Sequence, residues 1–174
     1  MLKIKILGLE EGTHPFSVEC ESIAIADIFP EFFGLVKVHG TLKKNGKRIF
    51  LQAEAECSAH LQCDRSGEEF TEIVKAPISM QYLIDTQLYL LRNEDSSDEG
   101  SEILLRDDEQ EVDITEDVRQ ELALNLPMKR ISPAYADKPF EEIHPEIVDE
   151  NKSSEIDLEN SPFAALKQLN INKN

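Results

Sequence analysis

Long apolar runs and recognisable catalytic motifs are both missing from this sequence. No stretch approaches the roughly 18 consecutive apolar residues that a membrane-spanning helix requires. The first residues alternate like a strand and do not form a signal peptide. The chain contains no glycine-rich phosphate loop, no nucleophile elbow and no cluster with metal-ligand spacing. We therefore expect neither a membrane protein nor an enzyme, and we expect no cofactor.

Cysteine is also scarce, with Cys20, Cys57 and Cys63 as the three members. An odd number of cysteines without an export signal predicts reduced thiols and a cytoplasmic location. Cys57 and Cys63 fall on the same face of one predicted strand, where about 3.3 Å per residue separates them by roughly 20 Å. That distance is too long for a disulfide or a shared metal. We expect all three to be small, buried apolar side chains.

Positive charge is in short supply as well, because 18 basic residues face 35 acidic ones and the net charge is −17. Residues 1–80 carry a net charge of −3, whereas residues 81–174 carry −14. An acidic half repels phosphate and attracts basic partners. The only basic cluster consists of Lys43, Lys44, Lys47 and Arg48. It is either a charged turn that keeps the chain soluble or a candidate RNA contact that touches phosphates.

The clearest structural pattern is an alternation of apolar and polar residues through residues 35–63, interrupted by Asn45-Gly46. A two-residue turn at Asn-Gly predicts a hairpin that pairs Lys44 with Lys47 and Leu42 with Ile49. A third long strand follows and ends at Ile84, and shorter strands precede the hairpin. We predict the α+β class, with an antiparallel β meander or partly closed barrel, a covering helix and a short C-terminal helix.

The covering helix is predicted over residues 113–126. Asp113 is a plausible N-cap, and Glu116 lies three residues later as in a capping box. Ile114, Val118 and Leu122 form an apolar stripe with helical spacing, and Pro127 ends the helix. Residues 22–33 stay ambiguous, because their pattern suits either a short helix or a strand. Nine of the nineteen residues in 93–111 are acidic, which predicts a mobile, solvated insertion.

The predicted domain organisation is one β-rich domain over residues 1–130, which includes the covering helix and the acidic insertion. Residues 131–174 are predicted to form an extended polar tail. The tail ends in a short helix that Ser161 and Pro162 begin. Phe163, Leu166 and Leu169 lie along one side of this helix, and such an apolar side needs a docking surface in this chain or in a partner.

The order of several segments resembles one known family. A Cys63-Asp64-Arg65-Ser66 turn follows a long alternating strand; a second long strand, an acidic stretch, the helix VDITEDVRQELALNLP and a terminal SPFAALKQL come after it. In this order they resemble the YceD-like family of bacterial large ribosomal RNA subunit accumulation proteins, over about residues 2–170. The resemblance implies a role in ribosomal RNA accumulation, hence in ribosome assembly, without an assigned reaction.

The resemblance also raises the question of a metal. In the family, the turn commonly reads C-x-x-C and a second cysteine pair follows the leucine-proline at the helix end; together they look like a zinc site. Here Cys63 matches the first cysteine, but Ser66 occupies the second position and residues 131–140 contain no cysteine. We carry over no metal ligand, and we expect a degenerate site and a protein that folds without zinc.

Two functional hypotheses follow. In the first, the acidic half and the side chains of Phe163, Leu166 and Leu169 bind a basic ribosomal or ribosome-assembly protein. In the alternative, the basic hairpin tip contacts ribosomal RNA directly or within a particle. The net charge favours the first, and no membrane is involved in either.

Overall fold

A computed structural model describes residues 1–94 and 102–145. The chain divides into two compact units. The first, which we call the sheet unit, contains Met1–Gln62 and Glu69–Arg130; the second, the turn unit, contains Cys63–Glu68 and the chain from Ile131 onward. No helix in the described ranges is both long enough and apolar enough to cross a membrane.

The sheet unit contains seven strands within the described residues. They are β1 (Lys3–Lys5), β2 (Gly12–Glu21), β3 (Phe32–Asn45), β4 (Arg48–Gln62), β5 (Glu69–Ile84), β6 (Ile103–Leu105) and β7 (Glu111–Asp113). The main sheet has the order β2-β3-β4-β5-β6, and β1 pairs with β7 in a second, two-stranded sheet. All pairs are antiparallel except β5 with β6, which is parallel. The α+β meander is thus confirmed, and the described strands do not close into a barrel.

Alternation along the long strands explains why one face of the sheet is buried. Successive side chains of a strand point to opposite faces. Val36 and Val38 of β3 and Leu51 of β4 are accordingly fully buried on the inner face. Gly40 lies opposite Ala53, and a Cβ at position 40 would come within 2.6 Å of the Ala53 Cβ. Glycine is therefore needed where β3 and β4 approach each other.

The hairpin exists, but its predicted register is wrong by two residues. Asn45 pairs with Arg48 and Leu42 with Leu51, so Gly46 and Lys47 are the central residues of the turn. Only Gly46, with φ 60°, takes a positive φ there, whereas the predicted type I′ turn needs positive φ at both central residues. A shift of two residues keeps every side chain on its face, and the inner and outer faces are as predicted.

The covering helix is present as α2, after an unpredicted helix, α1 (Thr86–Glu94). Helix α2 spans Thr115–Leu124 and packs on β5 and β4. Its stripe of Ile114, Val118 and Leu122 is fully buried, as predicted. The predicted capping box is wrong: the helix begins after Ile114, and the Glu116 carboxylate accepts a hydrogen bond from Arg119 Nε at 2.9 Å. Asp113 still accepts one from Thr115 N–H at 2.9 Å.

The structure can also be compared with the predictions for residues 22–33, the acidic insertion and the C-terminal segment. Residues 22–33 form neither of the two predicted elements: a 3₁₀ turn covers Ser22–Ala24 and β3 begins at Phe32. Within the predicted acidic insertion, β6 occupies Ile103–Leu105, and residues 95–101 lie outside the described residues. The turn unit contains a 3₁₀ turn at Pro133–Tyr135 and a short helix, α3 (Phe140–Ile143). The predicted C-terminal helix lies outside the described residues.

Candidate functional site: the hairpin tip and the motif turn

The four basic residues of the hairpin tip lie close together at the β3–β4 turn, and three of them already have partners. Lys47 Nζ lies 3.0 Å from Asp85 Oδ2, and Arg48 Nε lies 3.0 Å from Glu102 Oε1. Lys44 Nζ donates a hydrogen bond to the Leu9 carbonyl at 2.6 Å. The hydrogen bond and charge of Asp85 raise the pKa of Lys47. Most of the positively charged groups of the hairpin tip are therefore already bound to groups of the sheet unit.

Acidic side chains surround this tip. Besides Asp85 and Glu102, the Glu11 carboxylate accepts hydrogen bonds from Gly46 N–H at 3.0 and 3.1 Å. Lys43 is exposed, and within the described residues it makes no ion pair. It borders a shallow cleft of about 530 Å³ on the outer face of the sheet, together with Phe50 and Gln52. Of the predicted RNA contacts, Lys43 is thus the one whose ammonium group is available.

The motif turn, Cys63-Asp64-Arg65-Ser66, begins the turn unit. Its main chain is closed by a hydrogen bond from Cys63 N–H to the Glu68 carbonyl at 2.8 Å and another from Gly67 N–H to the Cys63 carbonyl at 2.9 Å. Gly67 has a φ of 73°, which favours glycine. Asp64 is exposed and Ser66 is half-buried. The turn is therefore a closed loop that presents the Cys63 and Arg65 side chains to the rest of the unit.

Arg65 has a role that sequence reasoning missed. Its Nη1 donates to the carbonyl oxygens of Tyr135, Ala136 and Lys138, at 2.9, 3.2 and 2.8 Å. In return, His144 Nε2 donates to the Arg65 carbonyl at 2.5 Å. One guanidinium thus joins the motif turn to a segment about 70 residues later in the chain. The available signal was an arginine inside the motif turn, but nothing in the sequence named the carbonyls that it binds.

Cys63 lies in a shell of hydrogen-bond donors. Its sulfur is buried and accepts a hydrogen bond from Ser132 N–H at 3.4 Å. Burial raises the pKa of this thiol, but the Ser66 hydroxyl and the main-chain N–H groups of Ser132, Ser66 and Arg65 outweigh that effect and lower the pKa to about 7. The predicted burial of Cys63 and Cys57 is confirmed, whereas Cys20 is only half-buried.

The donor set around Cys63 does not fit the zinc site that the resemblance implies. A structural zinc ion needs four ligands with lone pairs, usually thiolates and imidazoles. Around Cys63 sulfur the structure places N–H groups and a serine hydroxyl that donate to it. An N–H group cannot ligate a cation, and among the described residues no group of three potential ligands includes Cys63. The residues present therefore satisfy the thiolate by hydrogen bonds.

Among the described residues, one group of three potential ligands comes together, formed by His39, Glu54 and Glu56 on the outer face of the sheet. Lys75 Nζ lies 3.3 Å from Glu54 Oε1 and 2.5 Å from Glu56 Oε1. The lysine supplies the positive charge that a metal would bring. These residues form an ion-pair network on the surface of the sheet.

The remaining predicted contacts, Phe163, Leu166 and Leu169, lie outside the described residues. In a comparison with known families, the model of the family described as large ribosomal RNA subunit accumulation protein YceD matches residues 51–170. The match covers most of β4, the motif turn, α2 and the terminal SPFAALKQL. No curated protein and no solved structure matches the chain significantly.

Proposed function

Since the chain belongs to the YceD family of large ribosomal RNA subunit accumulation proteins, we propose that it assists assembly of the large ribosomal subunit by binding a basic ribosomal or assembly protein. The family assigns it the role in ribosomal RNA accumulation. The direct contact with a basic protein, made without catalysis in the cytoplasm, is our proposal. The net charge of the chain is the main support for this proposal. At −17, the protein attracts a cationic partner and repels free RNA.

The state of the hairpin tip supports the same choice. RNA phosphates at the tip would compete with Asp85 for Lys47 and with Glu102 for Arg48. A phosphate contact at Lys47 or Arg48 would therefore first break an existing ion pair. The Phe163, Leu166 and Leu169 side chains are proposed as a second, apolar contact for the same partner.

Direct RNA binding is the second candidate, and Lys43 with Phe50 is the observation that favours it. An ammonium beside a half-exposed aromatic ring can contact a phosphate while a base stacks on the ring. With so few phosphate contacts against an opposing field, we expect affinities only in the non-specific range, about 10⁻⁴ to 10⁻⁶ M at physiological salt.

A pull-down from cell extract, with and without nuclease, distinguishes the two candidates. We expect the full-length protein to retain an identified basic large-subunit or assembly protein after nuclease treatment. Deletion of residues 161–174 should release much of it. Partners that all disappear with nuclease would contradict the proposal and favour RNA contact.

Charge reversal at Lys43 tests the RNA candidate, and charge reversal at Lys37 is its matched control. Lys43→Glu should leave the retained protein unchanged, as should Lys37→Glu, which makes the same charge change at an exposed position of the same strand. If purified ribosomal RNA binds the wild type and Lys37→Glu but not Lys43→Glu, with a steep salt dependence, the RNA candidate replaces ours.

A further inference from the structure

A groove of about 740 Å³ opens in the sheet unit beside the short strands β6 and β7. Its floor contains side chains of β5 and α1: Met80, Tyr82 and Tyr89. Tyr82 is 1% exposed, and its hydroxyl donates to Met80 Sδ at 3.2 Å. Tyr89 is half-buried. Of the two tyrosines, Tyr89 is therefore the one whose ring is partly exposed, and aromatic rings attract cations to their faces.

The walls of this groove are acidic. Five acidic and two basic residues line it, namely Asp108, Glu109, Glu111, Asp113, Asp117, Lys3 and Arg106. Both bases are already paired, Lys3 with Glu111 at 3.3 Å and Arg106 with Asp108 at 2.7 Å. Burial raises the pKa of Asp117, and the nearby Glu116 and Asp113 carboxylates raise it further. Negative charge therefore exceeds the positive charge that the groove itself supplies.

The groove is also bordered by strand edges. β6 is the last strand of the main sheet, and β7 is the last strand of the two-stranded sheet. Within the described residues, no strand pairs with the outer side of either. An edge strand exposes main-chain N–H and C=O groups that an extended peptide can bind. Alternate side chains of such a peptide would point to one side.

We propose that this groove binds an extended, lysine- and arginine-rich segment of a protein, which adds as a strand at the edge of β6 and directs its basic side chains to the acidic wall. The inference rests on the proposed function, since it assigns the docking site for the basic partner. Main-chain hydrogen bonds to residues 103–105 fix the register of the segment, and the carboxylates select for positive charge.

The probe is a fluorescent octapeptide of alternating arginine and valine, titrated into the full-length protein and followed by anisotropy. Glu109→Lys should weaken binding about tenfold, because it replaces an attraction by a repulsion of similar size. Glu72→Lys is the matched control: it makes the same change in net charge at an exposed position outside the groove lining. We expect it to change the affinity less than about twofold, since distant surface charges are screened.

A second peptide tests strand addition. It has the same sequence, with N-methyl groups on alternate main-chain nitrogens, and keeps the charge while losing the edge hydrogen bonds. We expect it to bind at least about tenfold more weakly, since several main-chain hydrogen bonds are lost. The amide resonances of residues 103–105 should shift only with the unmethylated peptide. Equal binding of the two peptides, or equal losses for Glu109→Lys and Glu72→Lys, would overturn the assignment.

The pull-down distinguishes failure of the groove from failure of the function. If wild type and Glu109→Lys retain the same basic protein equally well from extract, the groove is wrong while the proposed function stands. If the wild type retains no basic protein, the function and the groove that rests on it both fail. Loss of the partner from Glu109→Lys alone, with an unchanged unfolding midpoint, supports both.

Discussion

Arg65 organises the turn unit through one side chain. Three main-chain carbonyls of residues 135–138 accept from its Nη1, and because this nitrogen carries two N–H groups, at least one of them is shared between two carbonyls. Hydrogen bonds from a charged donor are the stronger kind, each worth about 1.5–3 kcal/mol net. The motif turn is thus tied to residues 135–138 by one charged donor group.

Cys63 should titrate near neutral pH. Burial opposes ionisation, but the donors around its sulfur lower the pKa to about 7, from an ordinary value of 9.0. The ultraviolet absorbance of the thiolate, taken as the difference between wild type and Cys63→Ser, should therefore rise with a midpoint near pH 7. Burial raises the pKa of Cys57 and of Cys20, and these thiols should ionise above 9.0. A Cys63 midpoint at or above 9.0 would contradict the prediction.

The same lowered pKa makes stability depend on pH. Since the folded state holds the thiolate more favourably than the unfolded state, the contribution is complete above about pH 9 and is lost as pH falls through about 7. Between these values the wild type should gain stability with rising pH relative to Cys63→Ser. Thermal unfolding of both proteins across this range checks the sign.

The sequence could predict that Cys63 is buried, but not what surrounds it. Alternation along the predicted strand put Cys63 in phase with Leu61 and Ala59, and all three side chains are buried. The donor from Ser132 comes from 69 positions away. No local pattern encodes such a contact, because it depends on how the later segment folds. An inert small side chain was therefore expected where the structure has an ionisable one.

At the scale of elements, the strands were predictable and the turns were not. Alternation in β3, β4 and β5 requires only that one face is buried. The hairpin register depends also on contacts from elsewhere: Glu11 binds Gly46 N–H, and Lys44 reaches the Leu9 carbonyl. These contacts come from the segment before β2 and hold the turn at Gly46-Lys47. The Asn-Gly rule describes an isolated hairpin, and here tertiary contacts decide.

Helix α1 was missed because its apolar side chains do not form a buried stripe. Residues 88–91 are a continuous apolar run, so the sequence shows no helical periodicity there, and Leu88, Leu90 and Leu91 are all exposed. The start of the helix did carry one, since Asp85 Oδ1 accepts hydrogen bonds from Gln87 and Leu88 N–H, both at 3.1 Å. An aspartate at this place is a common N-cap. A cap without an apolar stripe is weak evidence for a helix.

Helix α2 allows a clean test of its covering role. Leu122 is 0% exposed and Leu124 is 78% exposed on the same helix. Leu122→Ala should lower the free energy of unfolding by about 2–5 kcal/mol, because it leaves a cavity against the sheet. Leu124→Ala should change it by less than about 0.5 kcal/mol. Denaturant unfolding measures both, and similar values for the two would show that α2 does not cover the core.

For the whole molecule, the net charge could be predicted from the composition, but the positions of the charged side chains in the fold could not. The sequence gives the excess of 17 negative charges, and its family resemblance is confirmed by the match over residues 51–170. The pairing of Lys47 with Asp85 and of Arg48 with Glu102 depends on β5 and β6 meeting the hairpin tip. The acidic groove likewise depends on distant segments, because its lining comes from four strands and two helices. Segments far apart in the sequence form both the ion pairs at the tip and the groove, and only the fold brings these segments together.

The last prediction concerns the metal that the family resemblance implies. We expect the protein to fold and unfold with the same midpoint in buffer and in excess chelator. Ser66 replaces one candidate cysteine, residues 131–140 supply none, and hydrogen-bond donors already surround the Cys63 sulfur. A metal-dependent domain would lose folding free energy on chelation, because binding free energy is part of its stability. Metal analysis of the purified protein should find less than one zinc per chain.

Arg65→Ala is the comparison variant for the chelator test, because it should weaken the turn unit whether or not a metal is bound. It removes the donor to three carbonyls within the turn unit and leaves Cys63 in place. It should lower the unfolding midpoint, or the protection of the residue 131–145 amides from hydrogen exchange, in both buffers equally. A chelator effect in the wild type, together with a stoichiometric metal, would show that zinc holds this unit. An Arg65→Ala protein as stable and as protected as the wild type would show that the arginine does not.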